Sequence, residues 1–196
     1  MRPLAIAPLL LLISGRASAE PPGGASSHTL RRPVAGHPVL HLRGGVDAAP
    51  GLGAGDRPTV CGELSPHRAV SFEACGRGSG TLHQDSIPDA MHLRLRAVAA
   101  RLERGALEAA LLPGLGVMEI QNGADRPGLR FSADDPVESA GPEVSLSAQG
   151  RWYPTPRAYL VIDANVGVAH VPGAPTVMGA ASPILPFVGI SAGAGF

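Results

Sequence analysis

Residues 186–196 read PFVGISAGAGF, and this stretch at the end of the chain shows the pattern that decides the fold. Apolar residues occupy every second position, and glycine or serine fills most of the positions between them. The alternating apolar positions are Val188, Ile190, Ala192, Ala194 and Phe196. Because successive side chains of a β-strand point to opposite faces, this period of two predicts a strand with one apolar face and one small or polar face.

Seven earlier segments show the same period of two. Together with the last one, they predict strands over residues 39–48, 59–65, 69–77, 91–99, 107–117, 143–153, 159–170 and 184–196. The fifth is the weakest, since Leu112 places a large apolar side chain on its otherwise polar face. Strands of a membrane barrel alternate in this way, with apolar residues facing outward and polar or small residues facing inward.

The connections between these segments alternate between long and short along the chain. This order is expected of an even-stranded barrel with both termini in the periplasm, short periplasmic turns and long outer loops. Trp152, Tyr153 and Phe196 fall at the predicted periplasmic edge, where an aromatic girdle is expected. The sequence therefore predicts an all-β fold over residues 38–196, an eight-stranded antiparallel up-and-down transmembrane β-barrel.

Residues 89–112 allow a different interpretation. They are rich in Ala, Leu, Arg and Glu, which are strong helix formers, and a helix here would make the chain a periplasmic α+β protein. The alternation in Met91–His92–Leu93–Arg94 favours a strand instead, and Gly105 would interrupt the helix.

The N-terminal part of the chain predicts export. Residues 1–19 read MRPLAIAPLLLLISGRASA, with one arginine before an apolar run and small residues before Glu20, as in a cleaved signal peptide. An uncleaved anchor is the alternative, although the apolar run is too short to span a bilayer as a helix. Residues 20–37 are rich in Pro, Gly and Ser and predict a flexible segment.

The overall composition agrees with an exported barrel. The 16 basic and 16 acidic residues leave no net charge, so no general attraction to nucleic acid is expected. The 26 glycines and 20 prolines suit a fold with many turns and small interior side chains.

Over residues 38–196, the chain resembles the small bacterial outer-membrane β-barrel proteins, which include the transmembrane domain of OmpA. The resemblance rests on the alternating segments and on the terminal strand, and no motif points to a particular subfamily. It implies an outer-membrane location, contact with outer-membrane lipid, and recognition of the last strand by the barrel-assembly machinery. The residues that fit such an assembly signal are Val188, Ile190, Ala192, Ala194 and Phe196.

Two cysteines flank the predicted turn at His67 and Arg68, and both belong to inward faces. Opposed positions of an antiparallel hairpin bring β-carbons about 4.5–5.5 Å apart, slightly wider than a disulfide prefers. An oxidising compartment would permit the bond. We expect a cross-strand disulfide between Cys61 and Cys75, the alternative being two free buried thiols.

The inward faces collect charged residues. Eight strands leave an interior only wide enough for side chains to fill it, so these charges must pair with one another. Glu63 and Glu73 face each other, and Arg94 or Arg96 on the next strand is the expected partner. The predicted network consists of Arg43, Glu63, Glu73, Arg77, Arg94, Arg96, Glu143, Arg151 and Asp163.

These features predict an outer-membrane protein, expected to be a monomer, with a structural or surface-interaction role. We expect no catalytic residues and no cofactor. We expect no metal site either, because the acidic loop residues lack a calcium-loop pattern. A narrow channel for small solutes is one alternative. A lipid A-modifying enzyme is another, although His170, near the outer end of its strand, has no serine motif to accompany it.

Overall fold

The computed structural model describes residues 39–51, 58–77, 88–122, 129–155 and 158–196. The predicted signal peptide and the predicted flexible segment over 20–37 lie outside these residues. The elements are β1 (Val39–Ala48), β2 (Thr59–His67), β3 (Val70–Gly76), β4 (Asp89–Ala97), β5 (Ala100–Arg104), β6 (Leu107–Gln121), β7 (Glu138–Trp152), β8 (Tyr159–His170), α1 (Ala174–Met178) and β9 (Ile184–Gly195).

The strands form one closed antiparallel barrel. Neighbours in the chain are neighbours in the sheet, and β9 pairs with both β8 and β1, which closes the ring. Strands β4 and β5 both pair with β6 and together occupy one of the eight strand positions of the barrel, which we call staves. The predicted eight-stranded antiparallel barrel is confirmed.

A β-bulge separates β4 from β5. Arg96 pairs with Gly114 and Ala100 pairs with Leu111, so the β4–β5 side has one residue more than β6 over the same interval. Pro113 lies opposite this bulge, where its missing N–H removes nothing from a regular ladder. The stave therefore continues to Arg104, beyond the predicted end at residue 99.

Strands β6 and β7 are also longer than predicted, reaching Gln121 and starting at Glu138. Their extra residues do not alternate in burial, because both faces are covered at this end of the barrel. The helical alternative over residues 89–112 is wrong, since strands and a turn at Gly105 (φ 58°) occupy that stretch. Within the described ranges, no helix is long and apolar enough to cross a membrane.

The two ends of the barrel differ. We call the end that holds Val39, Phe196 and the short turns the terminus end, and the opposite one the loop end. Helix α1, in the connection between β8 and β9, lies at the loop end.

The two faces of the wall differ in polarity. In β1, β2, β3, β8 and β9, every Asp, Glu and Arg side chain points inward and is at least partly buried. The outward positions of the wall bear Leu, Val, Ile, Phe and Trp side chains that are 37 to 71% exposed. This is the reverse of a water-soluble protein, in which charged side chains cover the surface.

Candidate functional site in the barrel lumen

The nine residues of the predicted charge network all lie in the lumen. All but Arg151 are almost completely buried, and Arg151 is partly buried near the terminus end. They come from six strands and the residue after β3, so that closure of the barrel is what brings them together. Their contacts form a central cluster and two flanking groups.

The central cluster is organised around Glu73. Its carboxylate accepts hydrogen bonds from Arg43, Arg94 and Arg96, with 2.8 Å between Arg94 Nη1 and Glu73 Oε1. Arg94 and Arg96 lie on β4, which pairs directly with the strand of Glu73. Both arginines of the neighbouring strand therefore contact the Glu73 carboxylate.

Glu63 lies directly opposite Glu73 in the register of β2 and β3. Two carboxylates at this spacing would repel each other if they stood alone. Arg43 and Arg96 lie against both, with Nη2 atoms 3.2 and 3.3 Å from Glu63 Oε2. The same arginines bind Asp163 at 3.1 and 2.9 Å, so two guanidinium groups link three carboxylates.

Glu63, Glu73 and Asp163 also place carboxylate oxygens within 4.8 Å of one another, a spacing that could hold a metal ion. The guanidinium groups of Arg43 and Arg96 already supply positive charge to all three. Because both cations contact the oxygens that a metal would need, the arrangement favours an internal salt-bridge cluster over a metal site.

The flanking group toward the loop end centres on Glu143. Its two oxygens accept hydrogen bonds from His92 Nδ1 and Arg94 Nε, each at 2.7 Å. Arg94 also stacks over the ring of Phe187, 5.0 Å from its centroid. Nearby, Arg77 binds the Asp47 carboxylate at 3.0 Å. These contacts tie β1, β4, β7 and β9 together across the lumen.

The flanking group toward the terminus end includes two tyrosines. His41 bridges Tyr159 and Glu63, with both hydrogen bonds at 2.8 Å, and Tyr153 donates a hydrogen bond to Glu108 at 3.2 Å. Tyr153 was expected in the outer girdle, and that expectation is wrong, because its side chain is 6% exposed and lies inside the barrel. It follows Arg151 at a spacing of two, which is the signal that assigns it to the inward face.

Among the described residues, buried clusters of mainly apolar side chains lie at both ends of the lumen. At the loop end, α1 packs its buried Ala174 and Val177 into a cluster with residues of β4, β6, β8 and β9. The cluster comprises Ala90, Met118, Ile120, Ala169, Val171, Ala174, Val177, Ala180, Leu185 and Phe187. At the terminus end, Tyr153, Tyr159 and Val161 form a second buried group.

The space left in the middle of the lumen is small. A cavity beside the disulfide, lined by residues that include Asp47, His92 and Arg94, has a volume of about 20 Å³. That is room for about one water molecule. Around this cavity, the described side chains leave little free space, as expected for a barrel of eight strands.

Cys61 and Cys75 form a disulfide across the β2–β3 hairpin, as predicted. They are directly opposite in register, with 4.1 Å between their Cα atoms, and both side chains are buried in the lumen. The bond joins β2 and β3, the strands that carry Glu63 and Glu73. Each glutamate lies two residues from the cysteine of its strand.

Replacing both cysteines by alanine is expected to lower the free energy of unfolding by about 3 kcal/mol, because the bond closes a short loop in the unfolded chain. Urea unfolding of the variant beside the oxidised wild type measures this loss. Reduction of the wild type should have the same effect, whereas two reactive thiols in the denatured, unreduced protein would contradict the assignment.

No family model matches the sequence, and no curated protein matches it either. Solved structures do match in fold. The structure of Neisserial surface protein A aligns with a TM-score of 0.54 at 10% identity, over 81% of this chain and 95% of that one. The N-terminal β-barrel domain of OprF from Pseudomonas aeruginosa aligns with a TM-score of 0.42 at 7% identity, over 81% and 97%.

A third match is the attachment invasion locus protein Ail of Yersinia pestis, with a TM-score of 0.36 at 11% identity, over 81% of this chain and 94% of that one. Identities this low show a likeness of fold alone, and of the three only the alignment with Neisserial surface protein A is good enough to support it. The chain therefore has the fold of the small bacterial outer-membrane β-barrel proteins, a closed antiparallel barrel of eight strands.

Proposed function

We propose that this chain is an integral outer-membrane protein with a structural or surface-interaction role, and that its barrel does not conduct solutes. The observation that carries the proposal is the inversion of polarity, with buried charged side chains inside the barrel and large apolar side chains outside. The lipid-facing wall and the closed lumen support different parts of it.

The wall supports the membrane location. A chain that crosses a bilayer must satisfy its backbone hydrogen bonds internally, and a closed barrel does so without leaving a strand edge. The β1–β9 pairing provides that closure, from His41 opposite Gly195 to Ala48 opposite Val188. Most staves have nine or more residues, enough for a tilted strand to span the hydrocarbon core.

The lumen supports a role other than transport. A continuous salt-bridge cluster crosses its middle, and apolar groups lie above and below it. An ion on this path would have to displace arginine–carboxylate pairs that lie within about 3 Å of each other. The narrow-channel alternative has no comparable support.

The lumen histidines also support a role other than catalysis. His41 is hydrogen-bonded to Tyr159 and Glu63, and His92 to Glu143, so both serve the internal network. His170 lies exposed at the loop end of β8, opposite Ile184. An enzyme that modifies lipid A would need a nucleophile near such a histidine.

The terminal strand supports biogenesis by the barrel-assembly machinery. Val188, Ile190, Ala192 and Ala194 lie on the outward face of β9, and Phe196 follows it with 71% of its surface exposed. This strand also completes the ring with β1, so its recognition would precede closure. We further propose that the folded barrel is a monomer surrounded by outer-membrane lipid.

Cell fractionation combined with heat-modifiable gel migration tests the proposed location. The protein should be recovered in the outer-membrane fraction, and the unheated sample should migrate as a compact band that shifts on boiling. A soluble periplasmic protein without such a shift would contradict the proposal.

A further inference from the structure

The outer wall near the terminus end holds a groove of about 520 Å³ between β5, β6, β7 and β8. Its floor is low because Ala109 pairs with Gly150, and neither residue raises a long side chain from the wall. Leu107 and Trp152, also paired, stand on the terminus side of that floor. The remaining apolar lining comes from Leu102, Leu160 and Ile162.

One charged side chain stands out in this groove. Arg104 is exposed at the end of β5 and, among the described residues, has no ion-pair partner. Its neighbours Arg101 and Arg151, by contrast, bind the Glu108 carboxylate at 3.4 and 3.5 Å. The guanidinium of Arg104 thus remains available at the mouth of an apolar groove.

We propose that this groove binds one anionic phospholipid, with an acyl chain along the Ala109–Gly150 floor and the headgroup phosphate at Arg104. An apolar trough that ends at an unpaired guanidinium complements a molecule with an apolar chain and a phosphodiester. A guanidinium also presents its donors in a planar fork that matches phosphate oxygens. The proposal rests on the proposed function, since it requires this wall to face lipid.

Trp152 reports directly on this site. It is the one tryptophan of the chain, it lines the groove, and 48% of its surface is exposed. Phospholipids with brominated acyl chains quench tryptophan fluorescence on contact. Quenching in vesicles that contain brominated phosphatidylglycerol or brominated phosphatidylcholine therefore compares the two lipids at the groove itself.

For the full chain refolded into such vesicles, we expect phosphatidylglycerol to bind beside Trp152 about fivefold more strongly than phosphatidylcholine, the factor expected of one guanidinium near an anionic lipid. Arg104→Gln should reduce this ratio to about one. Arg130→Gln, which changes an arginine at the loop end, should leave it unchanged. An equal affinity for both lipids in the wild type, or a preference that survives Arg104→Gln, would overturn the proposal.

Gly150→Leu tests the acyl-chain part separately. A β-carbon at Gly150 meets no protein atom within 4 Å, so the substitution fills the groove without disturbing the wall. Quenching by both lipids should fall, and unchanged quenching would contradict an acyl chain on this floor. Quenching by neither lipid in a folded, inserted wild-type barrel would also overturn the proposal. A wild type that fails to insert would instead contradict the proposed function.

Discussion

Replacing Glu73 by glutamine is expected to lower the free energy of unfolding by about 3–5 kcal/mol, the cost of removing one partner from a buried ion pair. Three guanidinium groups converge on this carboxylate. The amide keeps the shape of the side chain but loses its charge, so Arg43, Arg94 and Arg96 would be left with excess positive charge in the buried interior of the barrel.

Urea unfolding in lipid vesicles, followed by Trp152 fluorescence, measures the effect of Glu73→Gln. Asp134→Asn is the matched control, because it removes a carboxylate from an exposed position beyond the barrel. The control should unfold like the wild type. If both variants were equally stable, the charge cluster would contribute nothing to holding the barrel together.

Replacing Gly193 by valine is expected to prevent closure of the barrel. Gly193 lies on the inward face of β9, opposite Arg43 of β1. A β-carbon there would lie 1.9 Å from the carbonyl oxygen of Leu42 and 2.7 Å from the Cα atom of Arg43. Both are backbone atoms of the strand that β9 must pair with, so the clash has no side-chain rotation to relieve it.

Gly44→Val provides the matched control for this closure test. Gly44 lies on β1 at the same seam, opposite Ala192, but a β-carbon there points outward and meets nothing within 4 Å. Refolding should yield the heat-modifiable compact band for Gly44→Val at the wild-type level and little or none for Gly193→Val. A normal yield of folded Gly193→Val would show that the seam is wider than the structure indicates.

The alternation of apolar and polar residues is sufficient to predict the barrel, because each strand presents an apolar face to the outside and a polar face to the lumen. The sequence pattern no longer indicates the strand boundaries where that contrast ends. Val98 and Ala99 are both uncharged, so their sequence gives no sign of the bulge that changes the register between β4 and β5. Near the loop end, Met118 and Ile120 continue β6 beyond its predicted limit, among residues buried on both faces.

The charge network could be predicted residue by residue, but its geometry could not. The alternation of side chains between the two faces of each strand places Arg43, Glu63 and Asp163 in the lumen. Their mutual contacts depend on how far neighbouring strands are staggered. The apolar cluster at the loop end, which includes α1, was not predicted either. Helix α1 contains five residues in a connection without a periodic pattern, and Ala174 and Val177 become buried only when the assembled barrel provides the other half of the contact.

Single-channel recording in planar lipid bilayers tests whether this chain is a membrane barrel with a non-conducting lumen, as we propose. With the folded protein inserted, we expect no steady current steps above those of the lipid alone, because Glu73 and its arginines occupy the middle of the lumen and buried apolar clusters lie toward both ends. Reproducible open-channel steps from the wild-type protein would contradict it.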